Sequence, residues 1–140
     1  MEKCLILIRV NPNIIKTLKL INDGYDLNLM IYLTKCFKIA YYNHNSSDID
    51  LEELLSDTIS YLKISIELYN LSNIIYSGEK INLVNNTISD ELYELLYKLT
   101  NDIIDSILSA IFKIRNDNNF DLSNVEYHSM QDDAIIYMLK

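Results

Sequence analysis

"TNDIIDSILSAIFKIRND", residues 100–117, carries more apolar surface than an ordinary surface helix needs. At about 100° per residue, Asp102, Asp105, Ser106, Ser109 and Lys113 fall in one strip about a third of the circle wide. Ile103, Ile104, Ile107, Leu108, Ala110, Ile111, Phe112 and Ile114 fill the remainder. A helix so broadly apolar is normally wrapped by its neighbours. This stretch therefore reads as the central helix of an all-α domain, with its polar strip reaching an edge.

Just upstream, "SDELYELLYKL" places Leu92, Leu95, Leu96 and Leu99 on one face. Continued in a single helix, that face is centred about 100° away from the apolar face beyond residue 101. Two helices broken at Thr100-Asn101 remove the conflict, since either residue can cap the second of them. Tyr93 and Tyr97 lie one turn apart, on the side away from Leu92, Leu95 and Leu99.

Further helices extend the bundle towards the N-terminus. In "NPNIIKTLKLINDG", Asn11 is an N-cap with Pro12 at the first helical position, and Asp23-Gly24 marks the end. Ile14, Ile15, Leu18 and Ile21 form its buried stripe. The preceding apolar run, Cys4 to Val10, reads as a further helical turn, with a short edge strand as the alternative. A second helix in "DLNLMIYLTKCFKIAYYNHN" gathers Leu29, Met30, Leu33, Phe37 and Ala40 on one side. After the loop "NHNSSDID", Asp50 and Glu53 form a capping-box-like pair for a long third helix. "SNIIYSGEKINLVNN" is a connector that turns at Gly78. Beyond the loop "NDNNFDLSN", "VEYHSMQDDAIIYMLK" reads as a final helix or two half-helices. The sum is a single domain of six or seven helices spanning residues 1–140.

Bulk properties agree with a packed helical domain. The 140 residues are 49% hydrophobic, with 2 Gly and 1 Pro, too apolar for disorder and too poor in turn formers for a β-sandwich. A net charge of −8 with only two arginines, Arg9 and Arg115, disfavours a phosphate-backbone partner, so no nucleic acid is expected. An acidic surface that mimics nucleic acid, as in a phage inhibitor, is the alternative use of that charge; solubility is its ordinary one. Cys4 and Cys36 are far apart and suit a reducing compartment. Neither "MEKCLILIRVNPN" nor "AIIYMLK" makes a spanning segment or an anchor, so no membrane insertion and a cytoplasmic location are expected. Ile and Asn supply about a quarter of the chain, the bias of an AT-rich genome.

Catalytic and metal chemistry finds little support. Cys4, Cys36, His44 and His128 have no ligand spacing among them. Cys36 shares the apolar stripe of Leu33 and Phe37, which makes it core rather than nucleophile. "EELLSDTISYLKISIELYN" resembles the second metal-binding helix of MazG-type nucleotide pyrophosphohydrolases. The preceding "TKCFKIAYY" carries no carboxylates where the first pair belongs, and magnesium needs oxygens converging from separate elements. Glu52, Glu53, Asp90 and Glu91 serve helix N-termini instead. Two glycines cannot build a phosphate-binding loop or a nucleophile elbow. No enzyme, cofactor or metal is expected.

"SILSAIFKIRNDNNFDLSNVEY", residues 106–127, resembles the central helix, loop and next helix of the poxviral Bcl-2-like family, in its innate-immunity-inhibiting branch. "YSGEK" is similar to a polar turn in that family. The resemblance implies a Bcl-2 fold and a non-enzymatic viral protein in the host cytoplasm. The implied partner is a host signalling protein of the NF-κB or interferon-regulatory-factor pathways, or a pro-apoptotic protein, often with homodimerisation. Lacking any Trp, an Asn-Trp-Gly-Arg motif and an anchor, the chain departs from the members that bind BH3 helices. Tyr93 and Tyr97 are the expected partner-binding residues, since paired tyrosines offer broad apolar area with polar tips.

The broad stripe on residues 103–114 makes a direct forecast. Ile111→Asp places an unpaired charge in the core and is expected to unfold the domain. Loss of the cooperative thermal transition in circular dichroism is the check; a folded variant melting like the wild type contradicts burial of this face.

Overall fold

Strands, not helical turns, occupy both ends of the chain. The computed structural model describes residues 4–25, 28–43, 50–77, 90–115 and 122–140. Their order is β1 (Cys4–Arg9), α1 (Pro12–Tyr25), α2 (Leu29–Asn43), α3 (Leu51–Ser77), α4 (Asp90–Arg115), a 3-10 turn (Leu122–Asn124), β2 (Val125–Met130) and β3 (Ala134–Leu139). The fold is mixed α/β: four helices and a three-stranded antiparallel sheet among the described residues. The all-α, Bcl-2-like bundle of six or seven helices is thereby overturned. The His44 loop, the turn at Gly78, the loop over 116–121 and the side chains of Leu92 and Ile114 lie outside the described residues.

The sheet order is β1-β3-β2, so the last strand lies between the first and the one just before it. β1 pairs with β3 in the register Cys4↔Leu139, Ile6↔Tyr137 and Ile8↔Ile135. Val10 N–H continues the ladder to the Asp133 carbonyl at 2.9 Å. "VEYHSMQDDAIIYMLK" is a hairpin rather than a helix, turning through Asp132-Asp133, with Gln131 N–H donating to the Ala134 carbonyl at 2.8 Å. Its β-branched and aromatic residues suit a pleated, half-buried surface. A bulge at His128 shifts the register between Tyr127↔Tyr137 and Ser129↔Ile136.

One face of the sheet is core. Ile6, Ile8, Val125, Ile135, Tyr137 and Leu139 are buried, and they alternate with outward Leu5, Leu7, Ile136 and Met138. α4 packs against β1, α2 against β2, and α3 against both α2 and α4. The Tyr137 hydroxyl meets Thr34 Oγ1 at 2.8 Å, and Thr34 in turn donates to the Met30 carbonyl at 2.7 Å, fastening the central strand to α2.

The helix starts follow the sequence. Asn11 Oδ1 accepts from Asn13 N–H, Asn28 Oδ1 from Met30 and Ile31, and Asp50 Oδ1 from Glu52 and Glu53. Each caps the orphan donors of a first turn. Ile15 and Leu18 on α1, and the whole expected set on α2, are buried; Ile14 and Ile21 are half-buried.

α4 differs from expectation in two ways. It is one continuous helix from Asp90 to Arg115, with no break at Thr100-Asn101. Leu96, Leu99, Thr100, Ile103, Ile104, Ile107, Leu108 and Ile111 are all buried, and their three- and four-residue spacing makes one uninterrupted stripe. Thr100, a polar residue at a core position, supplies the continuity that the apolar residues alone do not show; Leu95 drops to the half-buried edge. Nor is the helix wrapped all round: Phe112 is exposed beside Asp105, Ser109 and Lys113.

Because the Thr100 hydroxyl is buried with no hydrogen-bond partner among the described residues, Thr100→Val keeps the shape and removes that polar group. Stability is expected to rise by about 1 kcal/mol, measured by urea denaturation. A cap at a helix break would instead lose about 1 kcal/mol on the same change.

Candidate interaction surface

Four sets of residues are candidates for chemistry, and the fold separates most of them. Among the described residues no three of His, Cys, Asp and Glu converge in a way that could hold a metal ion. Cys36 is buried on α2, 4.0 Å from Ser65 Oγ. Burial pushes its thiol pKa up, with the Ser65 contact opposing weakly, so it stays a protonated core side chain. Cys4 is half-buried on β1, distant in role from Cys36. His128 is exposed at the β2 bulge, its Nδ1 2.8 Å from Ser129 Oγ.

A cleft of about 270 Å³ opens between α2 and β2, lined by Ile31, Thr34, Lys35, Lys38, Glu126 and Tyr127 among others. Its polar groups are engaged within the fold. Thr34 is committed to Tyr137, Tyr127 to the Asn28 side chain, and Lys35 stands 5.8 Å from the centre of the Tyr32 ring. A ligand site needs several polar groups converging on a cavity, and this cleft offers few.

Tyr93 and Tyr97, the residues expected to contact a partner, lie on α4 at the margin of its buried stripe. They are 38% and 40% exposed, with ring centroids 6.3 Å apart and planes tilted by 31°. The i, i+4 spacing on a rigid helix brings the rings together. Sequence reasoning missed a second apolar surface, on the outer face of the sheet. There Leu5 is 61% and Leu7 51% exposed, next to the half-buried Ile136 and Met138. Alternation in "CLILIR" is the available signal; apolar residues at nearly every position disguise which face is outward.

No helix among the described residues is long and apolar enough to cross a membrane. No family model, no curated protein and no solved structure matches this chain.

Buried Tyr137 and half-buried Tyr127 give the fold a pH signature. Burial raises the Tyr137 pKa far above the ordinary phenol value, the Thr34 hydrogen bond opposes, and Tyr127 adds to the rise. Tyr127 is raised for the same first reason, with its Asn28 hydrogen bond opposing. A group held protonated in the folded state binds more protons there than in the unfolded chain once pH exceeds the unfolded value of about 10. Stability is therefore full below that pH and falls above it. Tyr137→Phe is expected to flatten this alkaline loss, read as denaturation midpoint against pH. An unchanged profile contradicts the buried phenol.

Proposed function

We propose that this protein is a non-enzymatic interaction module that binds a protein partner through the Tyr93–Tyr97 face of α4. The observation that carries the reading is the pair of partly exposed, mutually tilted tyrosine rings on a long, well-anchored helix. Such rings lose little conformational freedom on binding and combine apolar area with a hydroxyl, which is why tyrosine recurs at interface hot spots. α4 is held further along its length, where Ile103, Ile107 and Ile111 are buried, so the tyrosines stand at the margin of an anchored stripe.

The partner class comes from the sequence resemblance: a host innate-immune signalling protein of the NF-κB or interferon-regulatory-factor pathways, met in the host cytoplasm. A groove for BH3 helices is not proposed, because it requires the helical bundle that the sheet replaces. The stretch 106–127 that carries the resemblance runs from α4 into β2, not into a following helix.

The test pairs stability with binding. Tyr93→Ala/Tyr97→Ala is expected to leave the melting temperature nearly unchanged and to weaken partner binding by about 1–4 kcal/mol. Inhibition of a host NF-κB or interferon-regulatory-factor reporter should be lost with it. A folded double variant with full inhibition moves the interface elsewhere. Wild-type protein inert in both reporters removes the assigned partner class.

A further inference from the structure

We infer that the β1 edge of the sheet is a self-association surface, joining two copies of this chain by antiparallel pairing of Cys4–Arg9 about a two-fold axis at Leu7. This surface is separate from the tyrosine pair and does not depend on it.

The phase of the ladder decides which main-chain groups of β1 face outward. Val10 N–H bonds to Asp133, so Val10 and the residues two, four and six before it direct their main-chain groups at β3. Leu5, Leu7 and Arg9 then direct their N–H and C=O groups away from β3. Among the described residues β1 pairs with β3 alone. Six residues of regular strand, with no proline and no bulge and with Arg9 as the one charged side chain, present these groups. Edges that stay monomeric usually carry such protections.

The two edges of this sheet differ. β2 carries the His128 bulge, which interrupts its ladder and puts an extra residue on that strand. β1 carries none, so one regular edge is available per copy. Pairing of one edge with its own image closes as a two-fold dimer, whereas two available edges would grow an open sheet.

Strand length and side-chain pattern select the register. Opposed residues must share a face, and the longest overlap of Cys4–Arg9 with its own copy then puts the axis at Ile6 or at Leu7. An axis at Ile6 carries Arg9 past Cys4, the first residue of the facing strand, and leaves its outward main-chain groups outside the pairing. An axis at Leu7 sets Leu7 on its own copy and Leu5 against the stem of Arg9, whose guanidinium is already held 2.7 Å from Asp133. That register engages every outward main-chain group of Leu5, Leu7 and Arg9. It also brings the outward Leu5, Leu7, Ile136 and Met138 of the two copies into one apolar surface. Although each copy carries a net charge of −8, Cys4 to Val10 contains no acid, so the contact line is free of that repulsion. A single strand pair falls below the usual interface size of about 1,200 Å², so the dimer is expected to dissociate on dilution.

Sedimentation equilibrium of the full chain across a range of concentrations tests this. Wild-type protein is expected to pass from monomer to dimer, and Leu7→Lys, at a half-exposed position, to stay monomeric with an unchanged far-ultraviolet circular dichroism spectrum. Leu7→Cys supplies the second measurement. Mild oxidation should link it into dimers through the residue on the axis, while Ile39→Cys, equally exposed on α2, should not link. Three results overturn the inference: a wild type that is monomeric throughout, a Leu7→Lys variant that still dimerises, or cross-linking at Ile39→Cys as efficient as at Leu7→Cys.

Discussion

The pairing of the first strand with the last holds this fold together. Ile6 lies opposite Tyr137 and Ile8 opposite Ile135, more than a hundred residues apart in the chain. Every helix is threaded between those two strands in sequence. The inner faces of β1 and β3 then supply the floor on which α2 and α4 rest, and the Tyr137–Thr34 hydrogen bond fixes one of those helices to it. A buried tyrosine hydroxyl needs a partner, and Thr34 meets that need without removing its own bond to the Met30 carbonyl. The arrangement has a kinetic side as well. Closing so long a loop before the sheet can form makes folding slow relative to a bundle of local helical contacts.

The helical part of this architecture is legible because local chemistry declares it. Asn11 before Pro12 and Asp50 before Glu53 each announce a first turn, and each side chain accepts the hydrogen bonds expected of a cap; Asn28 does the same for α2 without having been read as one. The sheet is not legible, for two physical reasons. Period-two alternation marks a strand when one face is polar. In β1 both faces are aliphatic, and in β3 Ile135-Ile136 and Met138-Leu139 place apolar residues on both sides. The hairpin turn is built from Asp132-Asp133 without the glycine that usually signals one. The strand pairings themselves are beyond local reading, since the partner of Ile6 lies at the other end of the chain.

In α4 a single polar residue hides the continuity of the buried stripe. Counting only apolar residues splits its stripe in two, because Thr100 counts as polar. In the fold Thr100 lies wholly buried between Leu96 and Ile103 and joins the halves. A threonine is close in shape to valine, so sterics accept it there even though its hydroxyl has no partner among the described residues. Tyr93 and Tyr97 are legible as a pair from their spacing alone. The outward leucines of β1 are not, since a residue faces outward only once its strand has a neighbour.

The two surfaces differ in what they demand of a partner. The tyrosine pair presents side chains, so its specificity depends on the shape and hydrogen-bonding groups of whatever meets the rings. The β1 edge presents main chain, and any extended segment satisfies main-chain donors and acceptors equally well. Selectivity at the edge must come from register, and register comes from Leu5, Leu7 and Arg9. Arg9 is the discriminating residue of the three. Its ion pair with Asp133 holds the guanidinium beside the end of β3, leaving the stem to cover an opposing leucine. A foreign strand with a basic residue at that point would meet a like charge, and one with an acid would compete with Asp133. A second copy of the same strand presents Leu5 there and incurs neither cost. The sequence that leaves this edge unprotected therefore also narrows what fits it.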